Sequence, residues 1–170
     1  MMVTTWLTAH RGHIPPGAWE RRRKHWTPEV SARGWERELR ARDAAPDRTR
    51  ACYLVAEDEH GRIIAIAAAE AAEMDPTGTV GEVGSLYVRP DHQRRGLGRR
   101  LVQHLAACLA DKGFRSLHIA VVTANLVARR FYEALGGQHI GERLFDEDGD
   151  LLPERIYSWP DITSLARYST

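Results

Sequence analysis

The stretch Val80-Gly81-Glu82-Val83-Gly84-Ser85-Leu86-Tyr87-Val88-Arg89-Pro90-Asp91-His92-Gln93-Arg94-Arg95-Gly96-Leu97-Gly98-Arg99-Arg100 decides the fold. Residues 80–88 read as a long strand, stopped by Arg89-Pro90 because proline cannot donate to a ladder. Beyond it Leu97, Leu101, Leu105, Cys108 and Leu109 recur at three- and four-residue steps, which predicts an amphipathic helix over 97–111. Lys112-Gly113 closes that helix with a cation and a glycine. The loop between strand and helix is an anion cradle. Its glycines let backbone approach a ligand, and the first N–H groups of the helix lack internal partners. Arg94, Arg95, Arg99 and Arg100 add positive charge, so a pyrophosphate is the natural guest. A dinucleotide fold would want a third glycine where Leu101 stands, and an ATPase loop would want Gly-Lys-Ser/Thr.

Upstream, the first 43 residues read as helices, with Thr27-Pro28-Glu29 a capped start for one reaching about Arg42. Residues 44–50 are a polar connection. Residues 51–58 and 63–69 form a hairpin around His60-Gly61, and 75–78 are a further turn. Downstream come a strand over 116–122, a helix over 125–135 closed by Gly136-Gly137, and strands over 138–145 and 154–159. An acidic turn, Asp146 to Asp150, separates the last two. This order predicts an α/β (α+β) fold with a mixed sheet flanked by helices.

The 170 residues, 43% apolar and 28% charged, suit one globular domain over 1–170. Net charge +1 argues against a nucleic-acid binder driven by overall charge. The longest apolar run, Ile63 to Ala69, is far short of the ~20 residues a membrane span needs. With no secretory leader visible, the expected compartment is the cytoplasm. Cys52 and Cys108 lie far apart in apolar surroundings and are expected to be buried, reduced thiols. His10 and His13 share a helix face but lack a third ligand, so no metal is expected.

Two spaced motifs carry a resemblance. Gln93-x-x-Gly96-x-Gly98, after a strand ending Leu86-Tyr87-Val88, resembles the acetyl-CoA motif of the GCN5-related N-acetyltransferase (GNAT) superfamily. Asn125-x-x-Ala128-x-x-x-Tyr132-Glu133-x-Leu135-Gly136 is similar to the segment that closes that family's cofactor site. The resemblance implies a mostly antiparallel sheet. It also exposes two departures: the family usually has a strand before its first helix, whereas this sequence starts inside that helix, either because the true start lies upstream or because the first strand is absent; and Gly137 stands where an aromatic often follows the helix-ending glycine.

The resemblance further implies roles. The Leu86 N–H would polarise the thioester carbonyl, and Tyr87 and Val88 would lie along the pantetheine arm, with Val88 binding its amides. The backbone around Gln93, Arg94, Arg95, Gly96, Leu97, Gly98 and Arg99 would hold the pyrophosphate, and Asn125 would bond the arm. Glu82 matches a general base, with a partner for a nearby Arg as the alternative. Tyr132 matches the general acid, with a core aromatic as the alternative. Trp6, Trp19, Trp26 and Trp35 would either wall an acceptor pocket or anchor the front helices.

The expected activity is acetyl transfer from acetyl-CoA to a primary amine, the acceptor being a small molecule. Rivals are a protein N-terminus or lysine, a charged tRNA favoured only by Arg21-Arg22-Arg23-Lys24, and a non-catalytic acyl-CoA-binding module. Oligomeric state is left open, a homodimer included.

Overall fold

The computed structural model describes residues 1–44 and 50–166, except the side chains of Arg42 and Ala166, so most of the expected 44–50 connection lies outside the described residues. Three helices come first: α1 (Met2–His10), α2 (Pro16–His25) and α3 (Pro28–Asp43). Proline opens α2, where a missing N–H costs nothing. The Thr27 hydroxyl accepts from the Val30 N–H at 3.3 Å, the cap expected for α3.

The sheet follows, with β1 (Cys52–Glu57), β2 (Ile63–Ala71), β3 (Val80–Val88), β4 (Ser116–Val122), β5 (Gln138–Glu147) and β6 (Asp150–Trp159). Its spatial order is β1-β2-β3-β4-β6-β5. All pairs are antiparallel except β3 with β4. A parallel pair needs a long crossover, and α4 (Leu97–Asp111) supplies it. Helix α4 buries Leu101, Val102, Leu105, Ala106 and Leu109. Gly81 permits this close packing, because a Cβ there would lie 2.8 Å from Leu109 Cδ1. Helices α5 (Leu126–Ala134) and α6 (Thr163–Ala166) complete the chain order. Tyr132, Leu135, Ile162 and Leu165 join α4 in the main core. A second cluster, Trp6, Ile14, Ala18, Val122 and Leu152, fastens α1 and α2 to the sheet.

Three expectations change. The last two strands are longer than 138–145 and 154–159, and the acidic turn shrinks to Asp148-Gly149. Both residues have positive φ (54° and 91°), which suits a two-residue hairpin turn. Acidic side chains did not end the strands, because Asp146 and Glu147 still pair with Leu151 and Asp150. The reading of the front as helices is unchanged: before β1 the described residues hold helices and no strand, and β1 is a sheet edge.

The third change is chemical. Cys52 and Cys108 form a disulfide, with Cα atoms 6.2 Å apart, so the expectation of reduced thiols is corrected. Packing of α4 across β1 brings together residues that sequence separation alone could not pair.

Candidate active site

A cleft opens between β3 and β4. Their ladder runs from Val80↔Ser116 to Val83↔Ile119 and then ends, although both strands continue. A register shift in the β2 pairing lies beside Gly84, between Val83 and Ser85, and bends β3 at that point. Beyond it, the Arg89 N–H donates to Ile64 O at 2.9 Å, toward β2. Strand alternation therefore turns the N–H groups of Leu86 and Val88 the other way, onto the unpaired edge. That edge can accept an extended, amide-bearing arm as an added strand. Both are among the residues that the family resemblance names for the pantetheine arm.

The cradle sits at the cleft's end. Gly96 caps α4 with a left-handed φ of 79°, and Arg94 also has positive φ, at 62°. The helix has no side-chain N-cap, so its first N–H groups point outward for an anion. The Gln93 side chain braces this loop against β3: its Nε2 donates to Val88 O at 2.9 Å. Gly98 is also tighter than a ligand-facing glycine need be, because a Cβ there would meet the Phe131 ring at 3.3 Å.

Glu82 lies on the face opposite α4, before the cleft begins. Arg143 Nη1 is 2.7 Å from its Oε1, and Arg143 Nε is 2.9 Å from Glu154 Oε2. Beside Glu82 in the ladder stands His118. The sequence reading passed over both Arg143 and His118. Alternation could have found the histidine: Leu117, Ile119 and Val121 are buried, which turns His118 to the Glu82 face. Nothing local signals Arg143. Burial lowers the His118 imidazole pKa, while the charges of Glu82 and Asp75 pull it up.

Tyr132 is buried between Phe131, Tyr157 and Trp159. Burial raises its phenol pKa. The aromatic alternative and the acid alternative thus share one side chain. Asn125 caps α5, its Oδ1 accepting from the Ala128 N–H at 3.1 Å, so that oxygen serves the helix. Gly137 has a partner in the fold: a Cβ there would lie 2.7 Å from Trp159, whose indole fills the space.

On the front face Trp6 and Trp26 act as anchors. Trp6 is buried, and the Arg22 guanidinium lies over both Trp6 (5.3 Å) and Trp26 (4.7 Å). The basic run is largely engaged: Arg21 pairs with Asp150, Arg22 with Glu147 and Asp148, and Arg23 with Glu20. His10 and His13 spend their Nδ1 atoms on the Trp6 and Ala9 carbonyls. Among the described residues no cluster of three or more His, Cys, Asp or Glu could hold a metal, and no helix is long and apolar enough to cross a membrane. A cavity of about 140 Å³ borders the bulge, between Trp35, Tyr53, Gly84 and Ser85.

Solved structures with the same fold include an N-acetyltransferase from Staphylococcus aureus Mu50, with TM-score 0.61 and 19% identity, covering 80% of this chain and 78% of that one. Another is a GNAT superfamily phosphinothricin acetyltransferase from Sinorhizobium meliloti in complex with AcCoA, with TM-score 0.60 and 25% identity, covering 74% and 69%. Among curated proteins, an uncharacterized N-acetyltransferase, YuaI, from Bacillus subtilis (strain 168) is 32% identical over 112 residues, 66% of this chain and 64% of that protein. The [ribosomal protein bS18]-alanine N-acetyltransferase of Escherichia coli (strain K12) is 42% identical over 52 residues, 31% of this chain and 35% of that protein. The chain thus spans less than two-thirds of the length of these curated relatives. The family model described as Acetyltransferase (GNAT) family matches residues 18–137, and the chain belongs to that family.

Proposed function

We propose that residues 1–170 are a single catalytic domain that moves acetyl from acetyl-CoA directly to a primary amine on a small molecule. The observation that carries this reading is the parting of β3 from β4, which leaves the Leu86 and Val88 amides without strand partners beside an uncapped helix N-terminus. The bound AcCoA of the Sinorhizobium relative supports the choice of co-substrate. When bound, acetyl-CoA supplies an activated thioester carbonyl.

The chain's own groups do the rest. Leu86 N–H donates to the carbonyl oxygen as negative charge gathers there. Val88 N–H bonds the arm, with Tyr87 beside it. The amides from Gln93 to Arg99 hold the diphosphate. The proton the amine sheds leaves through water toward the Glu82 carboxylate, whose Oε1 is paired with Arg143. The C–N bond forms as the C–S bond breaks, and Tyr132 gives its hydroxyl proton to the departing sulfur. The Tyr132 hydroxyl makes no hydrogen bond among the described residues, so it is available to donate.

A tRNA acceptor loses its supporting feature, since Arg21, Arg22 and Arg23 already have acidic partners. A protein N-terminus keeps one, the 52-residue similarity to the ribosomal-protein acetyltransferase. The decisive experiment is a panel of small amines and alanine-initiated peptides, following thiol release from acetyl-CoA. Turnover on a small amine supports the proposal. Turnover on peptides alone replaces it with the protein-acceptor reading. Tight binding without turnover on any amine favours a regulatory module.

A further inference from the structure

We propose that His118 takes the proton the acceptor ammonium must lose, with Glu82 as the neighbouring charge that stabilises the imidazolium. This rests on the acetyl-transfer reading above and sharpens it. Three observations carry it. First, His118 and Glu82 are partners in the β3–β4 ladder, one pair before the strands part, so both side chains stand on one face at the mouth of the cleft. Adjacent strands lie about 4.8 Å apart, which sets the imidazole beside the carboxylate at the mouth of the cleft. Second, Glu82 is already engaged, its Oε1 2.7 Å from Arg143. Third, His118 is half-buried and makes no hydrogen bond among the described residues, which leaves a ring nitrogen free for water or amine.

Chemistry favours the imidazole as well. A carboxylate, with an ordinary pKa near 4.3, is a weak base toward an ammonium, whereas histidine titrates near the working pH. The charged groups around His118 are few. Glu82 faces it from β3 and Asp75 acts from the turn before β3; both favour the imidazolium. Ser158 faces it from β6, and Arg143 of β5 reaches only as far as Glu82. Burial opposes the charge, so the resting imidazole is neutral and able to accept. In the step, an ammonium N–H bond breaks and its proton passes to the free ring nitrogen. The electron pair left on the amine forms the C–N bond, the C–S bond breaks, the sulfur takes the Tyr132 proton, and the second proton that the new amide nitrogen sheds passes through water to the Tyr132 phenolate. His118 then returns its proton to water.

The test uses His118→Gln and His118→Asn, saturated with acetyl-CoA, in single turnover with the amine returned by the panel, between about pH 5 and pH 9. The expected result is a fall of about 100-fold and loss of the rising acid limb, with acetyl-CoA affinity within about twofold of wild type. Glu82→Gln should shift the remaining limb to lower pH, because a charge that favours the imidazolium is gone; a packing role for His118 would not move it. Transfer by either His118 variant within about threefold of wild type, with the limb intact, overturns the proposal alone. Failure of the wild type on every amine overturns the acetyl-transfer reading and this proposal together.

Discussion

Arg143, on the outermost strand, reaches Glu82 at 2.7 Å and Glu154 at 2.9 Å, so one guanidinium ties together the two sheet halves that part between β3 and β4. The pair is partly open to water, with the Arg143 side chain 42% and that of Glu82 23% exposed. Arg143→Gln should therefore cost less than about 1 kcal/mol in urea unfolding. The cradle lies elsewhere, so acetyl-CoA affinity by calorimetry should stay within about twofold. A larger stability loss would mean that the bridge holds the sheet and not merely the acid.

The disulfide makes a stronger demand. It closes a loop of 56 residues between β1 and α4. On the chain-entropy model a loop of that size contributes about 4 kcal/mol, and real bridges give about 2–4. Urea unfolding with and without dithiothreitol should differ by that amount, and Cys108→Ser should abolish the difference. Equal midpoints under both conditions would show the thiols to be reduced in solution.

The two cradle glycines should respond differently to alanine. Gly96 has open space around its missing Cβ but a φ of 79°, so Gly96→Ala strains the backbone alone, by about 1 kcal/mol. Relaxing that strain would turn the loop away from the anion, and acetyl-CoA affinity should fall by about tenfold or more. Gly98 has the opposite problem, a Cβ 3.3 Å from Phe131. Gly98→Ala should lower the melting temperature by pushing α4 from α5, and Gly98→Asp should abolish acetyl-CoA binding. Unchanged affinity in Gly98→Asp would remove the loop from the cofactor site.

Acid should destabilise the fold through a half-buried histidine. His10 stacks on Trp6 at 4.3 Å, its Nδ1 meets the Trp6 carbonyl, and burial lowers its pKa. Below the unfolded value near 6.5 the unfolded chain binds more protons than the native one, so stability is present above that value and lost as pH falls through the folded pKa. The melting temperature should drop between about pH 7 and pH 5, and drop less steeply in His10→Gln. An equal slope in both proteins would assign the acid loss elsewhere.

What the sequence made legible was local. The strand and the helix of 80–111 are written in neighbouring residues, and the family resemblance that this run carries named Leu86 and Val88. Thr27 announced its helix because a cap acts within three residues. What it hid depends on distant contacts. Cys52 and Cys108 meet only when α4 crosses β1. Arg143 meets Glu82 only once a curved sheet brings β5 over β3. Gly137 looks like a defect until Trp159 from β6 fills the space beside it. Asn125 shows the converse: its motif was legible, but its Oδ1 turned out to cap α5.

Tyr132 offers the sharpest separation of chemistry from packing. Its ring is buried among Phe131, Tyr157 and Trp159, while its hydroxyl has no hydrogen-bond partner among the described residues. Tyr132→Phe keeps the ring and orphans nothing, so the melting temperature should barely move. Acetyl-CoA affinity should stay nearly constant for the same reason. If the hydroxyl protonates the departing thiolate, the single-turnover rate should still fall by about 100-fold, the usual scale for losing a general acid. Burial raises the phenol pKa, which keeps the proton in place until the sulfur demands it. Because product release can mask chemistry, steady-state kcat alone would not suffice. A single-turnover rate within about twofold of wild type, with amine and acetyl-CoA saturating, would leave Tyr132 as a core aromatic and require water to supply the proton.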